Sequence, residues 1–507
     1  MNERRAFMSR LCGEHTGILL SIVLVYLTLA GGTAVTRQPY GDEGELSSPA
    51  YTLAHRGYMA VTVWSDFRDS QKAYWMPPGF FLGQALWQRL VGFGVIQFRL
   101  SSVLWGVVVL LCIRFIVDAL TKDDGLALVA TALLAGDYTF LMHAGIGRCE
   151  MMSLALAILS IAAYLGLRQR SLALATVTAH TFVASSALSH PIGAVLWLPA
   201  LLGVQIWLDW GRRRWMSLVW MALPYVAGAL AWGAYIAQDP AQFLAQFRTV
   251  SISSGRLSGF TDPLHALQRE LVDRFLGYYG VRSGPTASPL VLLKLLLMLG
   301  YITALIVAVT VPSVRRLPLV RGALSLCVIQ VLLLAFLEGT KQFHYIVHTI
   351  PVLTTILACG LWISWKRRTL SRGALIAVTS LLVALQIGPV VFRIREDRYH
   401  REFVPTVAAL KRYVERGDFV VAEAEFAIPF GFPDNIVSDA AYGYGMRHRP
   451  DLVVVDEATF NSNMEGYKSY KFAQHVYMKQ VFPSEFEPIF QQGAYTVYKR
   501  RDKGPAG

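Results

Sequence analysis

The sequence predicts a polytopic α-helical membrane protein with a small α/β domain at its C-terminal end. Of the 507 residues, 54% are hydrophobic and 16% are charged, and the mean hydropathy is +0.42. A soluble domain carries about 25% charged residues, so this composition excludes an ordinary soluble protein. Apolar stretches of roughly 20 residues, the length that a bilayer core requires, recur along most of the chain.

The apolar stretches predict about eleven membrane-spanning helices. The first stretch is too long and too uninterrupted for a cleaved signal peptide. The five cysteines are not spaced like a disulfide framework. The predicted spans are 17–36, 97–120, 126–143, 151–167, 171–189, 191–209, 216–237, 289–311, 322–338, 344–364 and 374–393.

Basic residues in alternate short loops predict the orientation of the chain. The positive-inside rule places these loops, and the N-terminus, in the cytoplasm. The long segments 37–95 and 238–288 and the tail then lie on the outer side. The net charge of +13 reflects this topology, and no aromatic-basic array predicts nucleic-acid binding. The basic residues are Arg4, Arg5, Arg10, Lys122, Arg168, Arg170, Arg212, Arg213, Arg214, Arg315, Arg316, Arg321, Lys366, Arg367, Arg368 and Arg372.

The chain divides after the last predicted span. Residues 1–393 form the transmembrane domain with its two long outer loops, and residues 394–507 form the extracytoplasmic α/β domain. The basic loops and the compact tail favour a multi-pass protein of a bacterial inner membrane. For the tail, a role in substrate recognition or in covering a site is as consistent with the sequence as a purely structural role.

Within the tail, apolar residues at helical spacing predict a helix over 403–416, with Gly417 as its C-cap. The apolar runs 418–422 and 451–455 predict buried strands. Residues 494–498 predict a final strand at the edge of the sheet. The tail contains neither a nucleotide-binding fingerprint nor a cluster of residues at metal-ligand spacing.

The acidic pair Asp42-Glu43 is the most informative polar feature of the sequence. Only residues 37–40 separate it from the first span, which places it near the outer membrane boundary. The flanking Gly41 and Gly44 allow the backbone to approach a ligand closely. Carboxylates act as general bases and as metal ligands, so the pair is a candidate catalytic site. A solvated helix end is the structural alternative.

Further polar clusters fall on the same predicted side of the membrane. An arginine such as Arg148 can bind phosphate through two hydrogen bonds, whereas a salt bridge at the membrane boundary is the structural alternative. Lys341 and His344 suit a lipid phosphate at headgroup depth, although a lysine can also simply snorkel there. The clusters are Tyr74 to Gly79 with two prolines, His143 with Arg148 and Glu150, the His190-Pro191 turn, and Lys341 with His344 and Tyr345.

Taken in order, these motifs resemble those of the GT-C glycosyltransferases, nearest to the bacterial branch of the protein O-mannosyltransferase and lipid A aminoarabinose transferase superfamily. The resemblance covers roughly residues 10–365. The matching residues are Asp42, Glu43, Pro77, Pro78, Arg148, Glu150, His190, Pro191, Lys341, His344, Tyr345 and Pro351.

The resemblance implies sugar transfer from a polyprenyl-phosphate-linked donor at the outer face of the membrane, to an acceptor that is a lipid, a glycan or a protein. Asp42 would then be the base that activates the acceptor hydroxyl. Glu43 would assist, position the acceptor, or help Asp42 to hold a divalent metal ion. Metal dependence stays open, because the sequence offers no clean set of three acidic residues.

The resemblance also implies roles for the other polar clusters. Arg148, Lys341 and His344 would neutralise the donor phosphate, which is the leaving group of the transfer. The remaining residues expected to contact the substrate are Glu150, His190 and Tyr345.

Two other functions are consistent with the sequence. A transporter or flippase for a lipid-linked or charged solute would use ionisable groups within the membrane, and Asp137 is the main candidate. A non-catalytic assembly subunit would leave the acidic pair without a convergent pocket. The enzyme interpretation instead requires Asp42, Glu43, Arg148 and Lys341 to line one cavity that opens outward and sideways to lipid.

Overall fold

The computed structural model describes residues 15–64, 72–212, 214–281, 289–444, 446 and 448–502. Four of the basic residues that predict the orientation lie outside these ranges, namely Arg4, Arg5, Arg10 and Arg213.

Long helices make up most of the molecule. In chain order they are α1 (Thr16–Thr36), α2 (Gly41–Arg56), α3 (Gly79–Val91), α4 (Val95–Thr121), α5 (Asp124–Ala135), α6 (Tyr138–Ala144), α7 (Cys149–Leu167), α8 (Leu172–Ser189), α9 (Pro191–Asp209), α10 (Met216–Ile236), α11 (Pro240–Phe247), α12 (Pro263–Arg269), α13 (Pro289–Thr310), α14 (Pro312–Arg315), α15 (Pro318–Leu337), α16 (Ile350–Arg367), α17 (Arg372–Glu396), α18 (Val404–Tyr413), α19 (Glu457–Tyr470), α20 (Phe472–Val476) and α21 (Phe482–Glu485).

Every predicted span falls on one or two of these helices. Across the described ranges, nine helices are long and apolar enough to cross a membrane, and the bent pair α5 and α6 makes ten, against the predicted eleven. Helix α16, on which the predicted span 344–364 falls, is not among these ten. The predicted span 344–364 starts later in the structure, at Ile350. The residues before it, Phe343–His348, form a 3₁₀ helix, and Pro351 favours the first turn of α16, where its missing N–H costs nothing.

The predicted span 126–143 is not one continuous helix but bends by 61° between α5 and α6. The break occurs because the Asp137 side chain accepts a hydrogen bond from the Phe140 N–H at 2.8 Å and so caps α6. Tyr301 and Gln386 donate further hydrogen bonds to the same carboxylate. Asp137, on which the transporter alternative rested, therefore stabilises a helix break.

The C-terminal domain contains a five-stranded sheet with the order β2-β1-β3-β5-β4. The first three strands in this order are parallel, and β5 pairs antiparallel with both of its neighbours. The predicted edge strand at 494–498 is wrong in its position, because β4 covers its outer side. The strands are β1 (Val420–Val421), β2 (Ile436–Val437), β3 (Leu452–Asp456), β4 (Phe486–Gln492) and β5 (Tyr495–Arg500).

Both faces of this sheet are covered, which explains the uninterrupted apolar run of β3. One face packs on α18 and on residues of the loop between α2 and α3, such as Val61 and Val63. The other face packs on α19 to α21 through side chains such as Tyr467 and Phe482. The predicted helix 403–416 is shorter in the structure, because the chain becomes extended after Tyr413.

The segments predicted to lie outside the membrane contact one another at one end of the helical bundle. The Lys72 ammonium of the first loop donates to the Gln238 side chain of the later loop at 2.9 Å. The Gln38 amide, just after α1, donates to the Tyr495 hydroxyl of β5 at 2.7 Å. The acidic pair therefore lies where the helices meet the C-terminal domain.

Candidate active site

Helix α2 begins at the acidic pair and holds its two carboxylates in different places. Tyr40 precedes the helix, and its backbone N–H donates to the Glu43 carboxylate at 3.0 Å. Consecutive residues of an α-helix point about 100° apart, since one turn takes 3.6 residues. Glu43 is consequently 1% exposed, whereas the Asp42 side chain is 33% exposed.

Glu43 is the centre of a buried joint formed by Tyr40, Glu43, Arg99 and Gly147. The Arg99 guanidinium donates to both Glu43 oxygens, at 2.7 and 2.6 Å, and the Gly147 N–H donates at 2.8 Å. Burial opposes ionisation of Glu43, but Arg99 and these hydrogen bonds hold its pKa below the usual value. With both oxygens engaged, Glu43 joins the start of α2 to α4 and to the loop before α7.

Asp42 faces the other way and forms an ion pair with Arg148. Glu150 holds this arginine from behind, accepting hydrogen bonds from Arg148 Nη2 at 2.6 Å and from Nε at 3.1 Å. The guanidinium therefore keeps a fixed orientation, with Nη1 directed at Asp42. The structure thus brings together three of the residues singled out in the sequence.

His190 and Tyr345 lie beside this ion pair. The Tyr345 hydroxyl and His190 Nε2 are 3.5 Å apart, and the two rings are 5.2 Å apart. Burial lowers the pKa of His190 to about 4, so its imidazole is neutral at physiological pH. His344 is also near, with its ring 5.5 Å from the Tyr40 ring. These residues provide neutral hydrogen-bonding groups next to Arg148.

Arg256, from the loop between α11 and α12, approaches the same place from outside. Burial raises the pKa of Glu45 and of Tyr345 and lowers that of His190, and in all three cases the charge of Arg256 acts to lower the pKa. Arg256 therefore brings a second cation to the surroundings of the Asp42–Arg148 pair. It was not among the residues singled out in the sequence.

Lys341 belongs to a buried ionic cluster that borders the site, because the Arg274 guanidinium of this cluster lies 5.6 Å from the centre of the Tyr345 ring. Its ammonium pairs with Glu270 at 3.2 Å and donates to the Ala335 carbonyl at 2.7 Å. Arg274 bridges Glu270 and Glu338 in the same cluster, at 2.9 and 2.5 Å. Lys341 is thus paired with a carboxylate in this structure, and its contact with a donor phosphate stays a prediction.

A cavity of about 580 Å³ lies between the helical bundle and the C-terminal domain. Asp42 lines it, but Glu43, Arg148 and Lys341 do not, so the requirement that all four residues line one cavity is not met. It is met in part, because the cavity-lining Asp42 forms an ion pair with Arg148. The cavity is lined by residues of both charges. We call Asp42, Glu45, Glu423, Glu425 and Asp456 its acidic wall and Arg37, Lys294, Arg393 and Arg398 its basic wall, and Glu396 also lines the cavity, paired with Arg393 at 2.9 Å.

Solved structures with the same architecture identify the fold. The structure of ArnT from Cupriavidus metallidurans bound to undecaprenyl phosphate matches with a TM-score of 0.58 and 15% identity, covering 97% of this chain and 100% of that one. Its apo form matches with a TM-score of 0.56 and 14% identity, over 96% and 98%. The chain has a GT-C fold.

A more distant GT-C structure agrees with this. The archaeal oligosaccharyltransferase AglB from Archaeoglobus fulgidus, in complex with an inhibitory peptide and a dolichol-phosphate, matches with a TM-score of 0.51 and 11% identity. The match covers 97% of this chain and 75% of that one. No protein-family model and no curated protein matches the sequence.

In this GT-C fold, Lys294 is a site residue that sequence reasoning missed. It lies in α13, an otherwise apolar helix, and its ammonium is 4.6 Å from the centre of the Tyr278 ring and 5.8 Å from that of Tyr138. A charged residue within a membrane span is by default a functional candidate. That signal, applied to the predicted span 289–311, would have found it.

The carboxyls that the C-terminal domain places in the cavity were also missed. Burial raises the pKa of Glu45 and of Glu423 to about 7, and neighbouring carboxylates contribute to both shifts. Burial and the Glu423 carboxylate also raise the pKa of Glu425. No local pattern in the tail indicates these residues, because their role depends on how the domain docks.

The acidic pair does not suit a metal ion held between its two members. Both Glu43 oxygens already accept hydrogen bonds within the joint, and Asp42 pairs with Arg148. In the part of the chain that the structure describes, no group of three or more His, Cys, Asp or Glu residues has the geometry to hold a metal ion. We therefore assign no chemical step to a metal at this place.

Proposed function

We propose that this protein is a membrane glycosyltransferase that transfers a sugar from a polyprenyl-phosphate-linked donor to an acceptor at the outer face of the membrane. The observation that carries the proposal is the Asp42 carboxylate, which lines a cavity while its other side contacts a fixed arginine. The GT-C structures of ArnT and AglB hold undecaprenyl phosphate and dolichol-phosphate, which supports a lipid of the same class here.

Asp42 acts as the general base in this proposal. The acceptor hydroxyl attacks the anomeric carbon of the donor sugar, and Asp42 takes the hydroxyl proton. The bond between the anomeric carbon and the phosphate oxygen breaks, and polyprenyl phosphate leaves with the electron pair. Glu43 takes no part in the chemistry and instead fixes the start of α2.

Arg148 and Arg256 neutralise the leaving phosphate. Glu150 orients Arg148, and an oriented guanidinium stabilises the developing charge without reorganising during the reaction. A phosphate bound at Arg148 competes with Asp42 for the guanidinium, which frees the carboxylate to accept a proton. His190 and Tyr345 are placed to hydrogen-bond the same phosphate.

The acceptor enters the cavity from the side opposite the acidic wall. Arg37 and Lys294 line that side, and their charges favour an acceptor that carries an anionic group. The aromatic rings around Lys294 leave its ammonium less hydrated, which strengthens such an interaction.

The proposal also gives the orientation of the chain in the membrane. The basic loops lie in the cytoplasm, and the domain from about residue 394 lies outside, where a lipid-linked sugar meets its acceptor. A bacterial inner membrane is the compartment that fits this arrangement.

The test uses purified full-length protein with radiolabelled polyprenyl-phosphate sugars and an extract of membrane lipids and glycans as acceptor. Transfer of label to the extract is expected, and Asp42→Asn should lower its rate about 10²- to 10⁴-fold, the usual contribution of a general base. The exposed Glu465→Gln serves as the control. An unchanged rate in Asp42→Asn would remove the proposed base, and no transfer from any of these donors would overturn the function.

A further inference from the structure

The acidic wall of the cavity is built jointly by α2 and the C-terminal domain. Glu423 and Glu425 come from the segment after β1, which packs directly on α2 at Gly44, where a side chain would collide with the Ala424 backbone. At Gly41, an added Cβ would lie 3.4 Å from the Glu423 carboxylate. Glycine at these two positions brings the carboxyls of the C-terminal domain next to Asp42.

This wall contains a buried carboxylate oxygen without a partner. Glu425 is 3% exposed, lines the cavity, and its Oε2 accepts no hydrogen bond from any residue that the structure describes. From the residues that the structure describes, Glu423 accepts one long hydrogen bond, at 3.5 Å, from the Tyr442 hydroxyl to its Oε1. A buried polar group left unpaired is costly, so these oxygens are suited to a ligand that donates hydrogen bonds.

The wall also lies beside the place assigned to the donor phosphate. Glu45 is three residues beyond Asp42 on α2, and residues at this spacing are neighbours on a helix surface. Gly41, which directly precedes Asp42, has the Glu423 and Glu425 carboxylates 3.4 and 3.8 Å from the position of an added Cβ, and Asp42 itself pairs with Arg148. A sugar attached to a phosphate at Arg148 would therefore face these carboxyls.

We propose that Glu45, Glu423 and Glu425 bind the donor sugar through hydrogen bonds from its hydroxyl or amino groups, and that they reject sugars carrying a carboxylate. This assignment rests on the proposed function and names the sugar class that the site accepts. A uronic acid would add a negative charge to a wall that already repels its own carboxylates. Hydroxyl and ammonium groups supply the donors that the wall lacks.

The test measures equilibrium binding of polyprenyl phosphates to purified full-length protein in detergent, at a pH above the pKa of about 7 of Glu45 and Glu423, so that these carboxyls are ionised. The probes are the bare lipid phosphate and the same lipid carrying a neutral hexose, an amino hexose or a hexuronic acid. We expect the neutral or amino sugar to bind wild type at least about tenfold more tightly than the hexuronic acid, the effect of roughly one unfavourable charge contact. Whichever of the two binds more tightly identifies the contacting group as hydroxyl or ammonium.

Substitution of the wall separates sugar recognition from lipid binding. The double variant Glu423→Gln with Glu425→Gln should lose this discrimination while binding the bare lipid like wild type. Glu45→Gln, which changes the part of the wall that α2 contributes, should also weaken the preference for the neutral or amino sugar over the hexuronic acid. Glu465→Gln, an exposed carboxyl on the same domain, should leave all four affinities unchanged.

The outcomes distinguish this proposal from the function on which it depends. Equal binding of hexuronic acid and hexose to wild type, or weaker binding of the bare lipid by the double variant, would overturn the sugar-binding wall alone. Failure of wild type to bind even the bare lipid phosphate would instead contradict the proposed function. An unfolding temperature like that of wild type confirms that the variants are folded.

Discussion

The buried joint around Glu43 and the cavity around Asp42 are adjacent in sequence and opposite in character. In the joint, every carboxylate oxygen has a charged or backbone donor, and the pKa of Glu43 is lowered. In the cavity, no lysine or arginine among the described residues forms an ion pair with Glu423 or Glu425, and the pKa values of both carboxyls are raised. A carboxylate whose oxygens all accept hydrogen bonds, such as Glu43, holds helices together. Carboxyls without such partners, such as Glu425, remain available to a ligand.

Breaking the joint is expected to have the largest effect on stability. Arg99→Leu leaves Glu43 buried without its cation, which should cost about 3–5 kcal/mol of unfolding free energy. Thermal unfolding in detergent measures this loss. Arg367→Leu removes an exposed arginine at the other end of the bundle and should have little effect. Equal stability of the two variants would mean that Glu43 and Arg99 do not form a structural joint.

Lys341 tests whether the second ionic cluster is another joint. Lys341→Met should destabilise the protein by about 1–3 kcal/mol, because Glu270 loses one cation but keeps Arg274. The transfer rate per folded molecule should stay close to that of wild type. A large loss of transfer with unchanged stability would indicate that Lys341 contacts the donor phosphate, as the sequence predicts.

Stability should respond to pH with opposite sign in the two regions. The pKa of Glu423 rises from an ordinary 4.5 to about 7 on folding, so the folded state holds its proton longer. The stability contributed by this protonated group is complete below 4.5 and is lost as pH rises to about 7. Glu423→Gln should therefore gain stability relative to wild type over this range.

The stability that Glu43 contributes should depend on pH in the opposite direction to that of Glu423. Its lowered pKa contributes stability that is present above the ordinary value and is lost as the pH falls. Unfolding temperatures of wild type, Glu43→Gln, Glu423→Gln and the control Glu465→Gln, measured from well below pH 4.5 up to about 7, would show the two opposite trends. A difference between Glu423→Gln and wild type that does not vary with pH would show that Glu423 is not an unpaired buried carboxyl.

Much of the fold could be predicted because the membrane imposes a simple rule. A span must be continuously apolar and helical, and each predicted span falls on a helix. The errors occur where side chains override that rule locally. Asp137 caps α6 and interrupts the predicted span 126–143. Helix α16 begins only at Ile350, with Pro351 in its first turn. Apolar and polar residues alternate too weakly in β4 to predict a strand, so the sequence predicts β5 as the edge strand.

The site was predictable only where position along the chain determines position in space. Asp42 follows the first span so closely that its depth is fixed, and Arg148 lies in a short loop on the same side. The partner of Glu43 could not be inferred, since Arg99 lies within a predicted span. Glu423 and Glu425 reach the cavity through the docking of a whole domain, and such long-range packing leaves no local signal.

The central claim is that Asp42 performs chemistry whereas Glu43 holds the structure. The direct test compares the transfer rate per folded molecule of Asp42→Asn and Glu43→Gln, with the folded fraction taken from unfolding in detergent. We expect Asp42→Asn to keep wild-type stability and to lose about 10²- to 10⁴-fold in rate, while Glu43→Gln loses stability and keeps most of its rate. The reverse pattern, with rate lost through Glu43 and retained without Asp42, would contradict the account.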